Sequence, residues 1–342
     1  MKTKILVTGG LGYIGSHVVV ELQSQGFEVI IIDDLSNSSE NVLDGIYSIS
    51  KIKPLFEKID LKDRNSVVKF FKNHSDVKGV IHFAASKSVE ESTINPLKYY
   101  KNNINSLIYL LHEIGKLSVQ KLIFSSSCTV YGQADILPIK EDSTLKEPES
   151  PYGFTKKIGE KIIKDLCAVN NTLNSVSLRY FNPIGAHKSA NIGELTIGTP
   201  QNLVPFVIQT GIGIHEKISI FGKDYSTPDG TCIRDYIHVV DLAKAHVIAL
   251  KRLLEENNIE NYEVYNIGTG KGYSVMEIIS TFEEISGIKL NYSIKKRRKG
   301  DIMSAYADTK KANLILNWRP ELTLKDALLS AWKWEKKQLK LK

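Results

Sequence analysis

Apolar and polar positions follow two patterns along the first half of this 342-residue chain. Short apolar runs predict strands at Lys4–Thr8, Glu28–Asp33, Pro54–Lys58, Gly79–Phe83, Lys121–Ser126 and Ser175–Arg179. Segments with apolar residues three or four positions apart predict helices near Tyr13–Gln25, Arg64–Asn73, Lys98–Gly115 and Tyr152–Val169. Strands that alternate with helices form a parallel sheet with right-handed crossovers and helices on both faces. We therefore predict an α/β fold built on a doubly wound parallel sheet.

The pattern changes after about Asn182. Gly185–Gln201 is rich in Gly, Asn, Thr and Pro, and predicts a long loop of the kind that is more often functional than idle. The later elements are predicted as helices at Leu203–Gln209, Asp241–Glu255, from Ser274 and from about Thr323, with strands at Lys217–Phe221 and Glu263–Ile267. We expect a sheet domain over 1–182 and a smaller mixed α/β lobe over 183–342, with parts of 234–270 returning to the sheet domain.

Composition excludes several classes of protein. Hydrophobic residues make up 42% of the chain and charged residues 24%, which is ordinary for a globular protein. Three scattered cysteines predict neither a disulfide framework nor a metal site, and they favour a reducing compartment. The apolar runs are too short to span a bilayer, and the first strand leaves no room for a signal peptide. We expect a cytoplasmic protein without a membrane partner or a bound metal.

The net charge of +7 raises the question of a polyanion partner. The basic residues gather at 295–299 and 333–342, without interleaved aromatic residues or a nucleic-acid-binding motif. A solvated Lys-rich surface explains them, so no nucleic-acid partner is expected.

A glycine-rich turn follows the first predicted strand and opens the first predicted helix. Its glycines, Gly9, Gly12 and Gly15, permit a tight turn and the close approach of a pyrophosphate to a helix N-terminus. Asp33 ends the next strand, where a carboxylate binds ribose hydroxyls and repels a 2′-phosphate. The spacing G-x-x-G-x-x-G differs from the commoner fingerprint, and glycines also serve plain turns. We predict a Rossmann-type site for NAD.

A second motif is Ser150-Pro151-Tyr152-Gly153-Phe154-Thr155-Lys156. Pro favours a first helical turn, so Tyr152 and Lys156 share one helix face, where an ammonium lowers the pKa of a phenol and makes it a usable base. The fifth strand ends in serines 125–127, and a hydroxyl there could bind a substrate oxygen. Taken alone, a solvated Tyr/Lys pair and a serine that caps a turn remain open alternatives.

Together the T-G-x-x-G-x-x-G loop, the serine and Y-x-x-x-K resemble the short-chain dehydrogenase/reductase superfamily in its extended form. The resemblance implies that Tyr152 is the acid/base, that Lys156 binds the nicotinamide ribose, and that Ser127 orients a substrate hydroxyl. Phe221–Val239 is similar to F-G-x-D-Y-x-T-x-D-G-T-x-x-R-D-Y-I-H-V of the UDP-glucose 4-epimerase family. Further matches lie at Asp33–Ser38, Ile81–Ala85, Asn102-Asn103, Ser125–Gly132, Arg179–Gly185 and Gly300-Asp301.

This resemblance covers nearly the whole chain and implies NAD-dependent C4 epimerisation of a UDP-sugar through a 4-keto intermediate, with NAD regenerated. The residues it implies around the cofactor are Gly9, Gly12, Tyr13, Ile14, Gly15, Asp33, Asn37, Ser38, Asp60, Leu61, Phe83, Ala84, Ala85, Lys87, Asn102, Ser125, Tyr152, Lys156 and Tyr180. Those implied around the UDP-sugar are Lys87, Ser127, Tyr152, Asn182, Asn202, Leu203, Ser219, Phe221, Arg234, Tyr236, Arg298, Asp301 and Ala305. A surface role for Arg298 and a loop-capping role for Asn182 remain alternatives.

Neighbouring activities can be weighed on single residues. Nucleotide-sugar 4,6-dehydratases resemble this chain but carry an Asp-Glu pair before V-Y-G, where this chain has Cys128 and Thr129, so elimination lacks its proton donor. Uronate decarboxylases also carry a Glu at the position of Thr129. UDP-glucuronate 4-epimerase is a nearer rival, against which the Phe221–Val239 block speaks. An NAD sensor, an RNA-associated protein of this fold, or a net dehydrogenase that exchanges its NAD also remains open.

Two finer expectations follow from the resemblance. Family members restricted to glucose and galactose have a Tyr that walls the sugar pocket, and matching aromatic-Ala-Asp places Ala305 there, which leaves room for an N-acetyl group. A one-residue slip would instead make Tyr306 the wall. Extended members resemble homodimers built on two helices per subunit. The outer faces of Lys98–Gly115 and Tyr152–Val169 would carry Ile104, Leu107, Leu110, Leu111, Ile162, Ile163 and Leu166, although core packing explains many of these equally well.

Overall fold

A seven-stranded parallel sheet forms the centre of the larger part of the molecule. The structure, a computed structural model, describes residues 2–118, 120–196, 198–298 and 301–340. The strands of the whole molecule, in chain order, are β1 (Lys4–Thr8), β2 (Glu28–Asp33), β3 (Leu55–Lys58), β4 (Gly79–His82), β5 (Gln120–Ser127), β6 (Leu173–Tyr180), β7 (Asn182–Ile184), β8 (Ile218–Phe221), β9 (Ile233–His238), β10 (Tyr262–Ile267), β11 (Gly272–Ser274), β12 (Tyr292–Lys295) and β13 (Ser304–Ala305).

The helices are α1 (Tyr13–Ser24), α2 (Asn41–Ser50), α3 (Arg64–Asn73), α4 (Val89–Ile94), α5 (Pro96–Ile114), α6 (Pro151–Val169), α7 (Leu203–Gly211), α8 (Val239–Leu254), α9 (Val275–Ser286), α10 (Lys310–Ile315) and α11 (Leu324–Lys340). A 3₁₀ turn covers Cys128–Tyr131. Of the motif positions named from the sequence, Gly300 lies outside the described residues, as do Ile197 of the predicted loop and Lys299 and Lys342 of the basic runs.

The order of the large sheet is β10-β6-β5-β4-β1-β2-β3, with every neighbouring pair parallel. Successive side chains of a strand point to opposite faces, so Ile5 and Val7 pack in the core under α1 and α8, whereas Leu6 packs under α3, α5 and α6. The strand order reverses between β1 and β4, the position where such sheets bind ligands. The predicted Rossmann-type fold is confirmed.

The smaller part is a mixed lobe around its own core. β11, β9 and β13 form a sheet to which β7 adds, and β8 pairs with β12. The helices α7, α9 and α11 close this core, where the rings of Phe282 and Trp332 meet edge to face at 5.2 Å. β10 lies at the edge of the large sheet, although it follows part of the lobe in the chain. The division at residue 182 stays a prediction.

The predicted outer helix faces differ from the structure. Leu107, Leu110, Leu111 and Ile163 are buried in the core between the helices and the sheet, because α5 packs against α3 and α6, and α6 packs on β5. Ile104, Ile162 and Leu166 are only partly buried. Among the described residues, no helix is both long and apolar enough to cross a membrane, and no group of three candidate ligands is arranged around a metal position.

Candidate active site

The glycine-rich turn lies at the sheet edge where β1 and β4 end. Gly9 has a φ of +68°, and a Cβ built there would lie 2.8 Å from the backbone nitrogen of Ala84. A Cβ at Gly15 would lie 2.3 Å from the Gly9 carbonyl oxygen. Both positions therefore require glycine. Gly12 precedes α1 without a side-chain cap, so the first turn of α1 presents backbone N–H groups suited to a pyrophosphate.

Asp33 lies beside this turn at the end of β2. Its carboxylate accepts hydrogen bonds from the backbone nitrogens of Leu11 at 3.1 Å and Leu35 at 3.0 Å, and from the Ser38 hydroxyl at 2.8 Å. The carboxylate thus faces the glycine loop, as a group that binds ribose hydroxyls must. The loop and this carboxylate fit the adenosine half of NAD.

The segment after β4 forms the opposite wall and is tied to α5 and α6. Asn102 donates to the Ser86 hydroxyl at 3.2 Å. Asn103 accepts from the Ser86 backbone nitrogen at 2.8 Å and donates to the Thr155 hydroxyl at 3.0 Å. Asn103 belongs to the Asn102-Asn103 family match, of which only Asn102 is a predicted site residue. It connects this wall to the helix of Tyr152 and Lys156.

Helix α6 positions the predicted catalytic pair. The Ser150 hydroxyl caps it by accepting from the Gly153 nitrogen, and Pro151 opens its first turn. Tyr152 and Lys156 are buried on its sheet-facing side. The Lys156 ammonium donates to the Ser125 carbonyl at 2.7 Å and lies 5.9 Å from the Tyr152 ring centroid. The pair therefore does not have the solvated position that was the alternative.

The electrostatics of the pair differ from the sequence prediction. Burial raises the pKa of Tyr152 well above its usual value, and a hydrogen bond with Ser127 opposes that rise. Burial also lowers the pKa of Lys156 to about 8, against the charge of Glu160. The chain alone therefore does not show the lowered Tyr152 pKa that the sequence predicts, because burial outweighs the hydrogen bond with Ser127.

Two arginines of the lobe meet at one carboxylate. Arg234 on β9 donates to Asp301 at 3.0 Å, and Nε of Arg298 lies 3.5 Å from the other oxygen of Asp301. The guanidinium carbon of Arg298 is 4.8 Å from the Phe221 ring centroid. Planar guanidinium groups held in this way suit diphosphate oxygens.

The remaining predicted substrate residues lie around this cluster. Asn182 and Tyr236 are paired in the β7–β9 register, and burial raises the pKa of Tyr236 to about 12. Asn202 precedes α7, which begins at Leu203, and its side chain reaches Glu194 at 3.4 Å. Ser219 lies on β8. No described contact joins these residues to Tyr152.

Predicted cofactor residues also occupy the edges of the site. Lys87 forms an ion pair with Glu194 at 3.1 Å. Tyr13 donates to the Gly185 carbonyl at 2.6 Å, and Tyr180 is hydrogen-bonded to the Ser125 hydroxyl. Asp60 pairs with Lys62 at 3.2 Å. Asn37, Leu61, Phe83 and Ala85 lie near the ends of β2, β3 and β4, and Ile14 lies in the first turn of α1.

The register of β13 separates the two alternatives for the pocket wall. Ala305 pairs with Arg234 of β9 and packs in the cluster that contains Phe181 and Cys128. The ring of Tyr306 instead lies against Gly272, where an added Cβ would be 3.1 Å from it. Ala305 therefore lies on the side of Cys128, the residue after Ser127, and Tyr306 lies on the side of Gly272; the assignment of Ala305 as the wall residue stays a prediction.

Comparisons with known proteins agree with this geometry. The model of the NAD dependent epimerase/dehydratase family matches residues 5–268. A UDP-glucose 4-epimerase of Bacillus subtilis is 46% identical over 331 residues, which cover 97% of this chain and 96% of the relative. A UDP-glucose-4-epimerase of Stenotrophomonas maltophila, crystallised with NAD and formylated UDP-arabinopyranose, superposes with a TM-score of 0.95 at 43% identity over 99% of this chain and all of that one. The Bifidobacterium longum enzyme, crystallised with NAD⁺ and UDP, gives 0.94 at 42% identity over 98% and 99%.

Proposed function

The chain belongs to the NAD dependent epimerase/dehydratase family, and on that premise we propose that it is an isomerase that interconverts UDP-glucose and UDP-galactose at C4 with NAD as cofactor. The observation that carries this function is the assembly of Ser127, Tyr152 and Lys156 at the sheet edge that also holds the glycine loop. Similar proteins along nearly the whole chain carry the name UDP-glucose 4-epimerase, and two of them were crystallised with NAD.

The reaction assigns one proton to one side chain. Tyr152 takes the proton of the sugar O4 hydroxyl as the C4–H bond breaks, and returns it to O4 when the bond re-forms on the opposite face. When bound, NAD supplies reversible hydride transfer at C4. Ser127 hydrogen-bonds the same oxygen and Lys156 places a positive charge beside the phenol. Each turnover ends with the same number of electrons on the sugar, so the net reaction is an isomerisation.

The lobe holds the nucleotide and leaves the sugar free to turn. Arg234 and Arg298 supply the positive charge for the diphosphate, and the half-exposed ring of Phe221 offers an apolar surface for the uracil base. A 4-keto sugar that is anchored only through the diphosphate can turn over and present either face of its C4 carbonyl to the cofactor. The absence of a carboxylic acid at Cys128 and Thr129 supports epimerisation over dehydration.

The experiment that tests this function uses the purified protein with UDP-glucose and no added NAD. We expect UDP-galactose to form and the mixture to reach the same equilibrium from either sugar. The Tyr152→Phe variant, which keeps the ring and removes the proton acceptor, should lose turnover while it retains bound cofactor. Accumulation of reduced cofactor in proportion to oxidised sugar would instead identify a net dehydrogenase.

We further propose that the enzyme accepts N-acetylated UDP-sugars. Ala305 packs beside Cys128, the residue that follows Ser127, and its methyl group is much smaller than the Tyr side chain that the resemblance implies at this position in members restricted to glucose and galactose. An assay with UDP-GlcNAc decides the point, because good turnover of UDP-glucose without turnover of UDP-GlcNAc would contradict it.

We also propose that the enzyme is a cytoplasmic homodimer. The three cysteines are free thiols, which supports a reducing compartment. α5 exposes Leu97 (79%) and Ile108 (44%), and Tyr100 of the same helix meets the ring of Phe154 of α6 edge to face at 6.3 Å. An apolar face that crosses two adjacent helices suits a second copy of the chain. Light scattering on the purified protein, which would give the monomer mass if the proposal is wrong, tests it.

A further inference from the structure

Helix α6, which carries Tyr152 and Lys156, also contributes to a buried ion pair that has no role in the reaction as proposed above. Glu160 lies one helical turn after Lys156 on the same face and is 5% exposed. Arg179 of β6, itself 4% exposed, binds both carboxylate oxygens, with Nε at 2.8 Å and a terminal nitrogen at 2.6 Å. The Ser126 hydroxyl donates to the same carboxylate at 2.5 Å. Glu160 is therefore clamped from two strands.

The clamp and the catalytic pair are attached to consecutive residues of β5. Lys156 donates to the carbonyl oxygen of Ser125, Glu160 accepts from the side chain of Ser126, and Ser127 is the next residue. A slide of α6 along β5 would break both contacts together. The two contacts therefore fix the helix at the point where Ser127 faces Tyr152.

The titratable and charged groups around Lys156 come from its own helix and from two further elements, β4 and β6. His82 of β4 stays neutral, since burial and the charge of Lys156 lower its pKa to about 3. Tyr180 of β6 is hydrogen-bonded to the side chain of Ser125, and burial raises its pKa to about 12. Arg179 of β6 is held by Glu160, and Tyr152 lies on the same helix as Lys156. Glu160 carries the negative charge in this set.

Burial opposes the protonated form of Lys156, whose pKa falls to about 8, and the charge of Glu160 acts in the other direction. An amine with a pKa near 8 is divided between its two forms close to neutral pH. A nearby carboxylate then decides how much ammonium is present.

We propose that Glu160 is a positioning residue for the reaction: its clamped carboxylate holds α6 in register with β5 and keeps the buried Lys156 side chain protonated. The inference rests on the proposed function for its meaning in catalysis. The protonation of Lys156 can also be measured without turnover.

The test is the Glu160→Gln variant, which keeps an oxygen for Arg179 and loses the charge. Urea unfolding is measured for the parent and the variant at pH 6.5 and 9. We divide the equilibrium constant for unfolding of the variant by that of the parent, and we expect this ratio to be about tenfold smaller at pH 9 than at pH 6.5. The reason is that loss of the carboxylate lowers the Lys156 pKa in the folded state by about one unit. Lost hydrogen bonds alone would give a ratio that does not depend on pH.

The matched control is Glu263→Gln. Glu263 is also buried and bound by both an Nε and a terminal nitrogen of one arginine, Arg252, at 2.8 and 3.0 Å, and the Tyr265 hydroxyl and the Ile259 backbone nitrogen are its further donors. Its charge is on β10 and is not among those that act on Lys156. The unfolding constant of this variant relative to the parent should be the same at pH 6.5 and 9.

Turnover supplies the second measurement. The alkaline limb of kcat should move to lower pH by about one unit in Glu160→Gln, with KM for UDP-glucose within about twofold of the parent. If the single variant does not fold, Glu160→Gln with Arg179→Gln leaves no unpaired buried guanidinium, and its ratio should change with pH in the same direction but by less, because the loss of the Arg179 charge partly offsets the loss of the carboxylate. A folded variant whose unfolding ratio is independent of pH overturns the inference. A parent without epimerase activity would overturn the proposed function and leave the unfolding measurement valid.

Discussion

Gly15 lies where no side chain has room. A Cβ there would lie 2.3 Å from the Gly9 carbonyl oxygen and 2.9 Å from the Cα of Gly10. Both neighbours are backbone atoms, so the turn itself would have to open. Because the turn is the proposed cradle of the pyrophosphate, its shape links stability to cofactor binding.

We predict that Gly15→Ala destabilises the protein by about 1–3 kcal/mol and releases bound NAD. Urea unfolding and the cofactor absorbance of the purified variant measure the two effects. The matched control is Gly115→Ala at the end of α5, where φ is −58° and the nearest neighbour of an added Cβ is 3.5 Å away. That change should be neutral or stabilise the protein by about 0.4–1 kcal/mol. Full cofactor content in Gly15→Ala would contradict the assignment of the loop.

We predict that Ala305→Tyr removes the N-acetyl activity and keeps turnover of UDP-glucose. The phenol would fill the space beside Cys128 and Phe181 that the acetamido group is proposed to enter. The ratio of kcat/KM for UDP-GlcNAc to that for UDP-glucose should fall about 10- to 100-fold. UDP-glucose is the internal control, and an unchanged ratio would show that another residue sets the sugar range.

At the scale of elements, the sequence predicts the seven strands of the large sheet to within two residues at each end. A strand covered on both faces is a continuous apolar run, and Glu28–Asp33 is one. β9 (Ile233–His238) was recognised only as part of a family motif, because Arg234, Asp235 and His238 interrupt its apolar pattern. Tertiary contacts hold it: Asp235 accepts from the backbone nitrogens of Thr269, Gly270 and Ala307.

The site residues also fall into two groups, those that local sequence spacing predicts and those that depend on contacts between distant elements. The glycine turn and the Tyr152/Lys156 pair are local, and their spacing in the sequence revealed them. Glu160 shares that spacing, since it follows Lys156 by four residues, but its partner Arg179 is 19 residues further on and in another element. Contacts between elements depend on sheet order and strand register, which a single sequence does not specify.

The segment 185–195, named the strap here, crosses from the lobe to the glycine turn. Tyr13 donates to the carbonyl of Gly185 at one end, and Glu194 pairs with Lys87 at the other. Between them Gly193 lies under the ring of Trp334, where a Cβ would be 2.6 Å from the indole. The strap therefore joins the ends of β1 and β4, on either side of the proposed cofactor site, to α11.

We predict that Glu194→Gln makes the enzyme lose bound NAD about two- to fivefold faster, because the ion pair with half-exposed Lys87 attaches the strap to the segment that follows β4. Cofactor retained after rapid gel filtration measures the rate. Asp165→Asn, which removes the exposed ion pair with Lys161 on α6, is the matched control and should leave retention unchanged. Equal retention in both variants would show that the strap does not hold the cofactor.

At the scale of the whole molecule, four buried histidines couple stability to pH. Burial lowers the pKa of His17 and His82 to about 3, and that of His238 and His246 to about 4, from an ordinary value of 6.5. At a pH between the folded-state pKa of each histidine and 6.5, that histidine is mainly protonated in the unfolded chain and neutral in the folded protein. Their contribution to stability is therefore complete above pH 6.5 and is lost as the pH falls towards about 4 for His238 and His246 and towards about 3 for His17 and His82.

His246 isolates one of these contributions. Its ring packs between Phe83 and Tyr180, with centroids 4.8 and 5.8 Å away, and its Nδ1 donates to the Leu242 carbonyl. His246→Phe keeps an aromatic ring in this position and removes the titration. The parent should lose about 1 kcal/mol more stability than this variant between pH 6.5 and 5.5, as urea unfolding measures. Parallel losses in the two proteins would mean that His246 takes up its proton in the folded state as readily as in the unfolded chain.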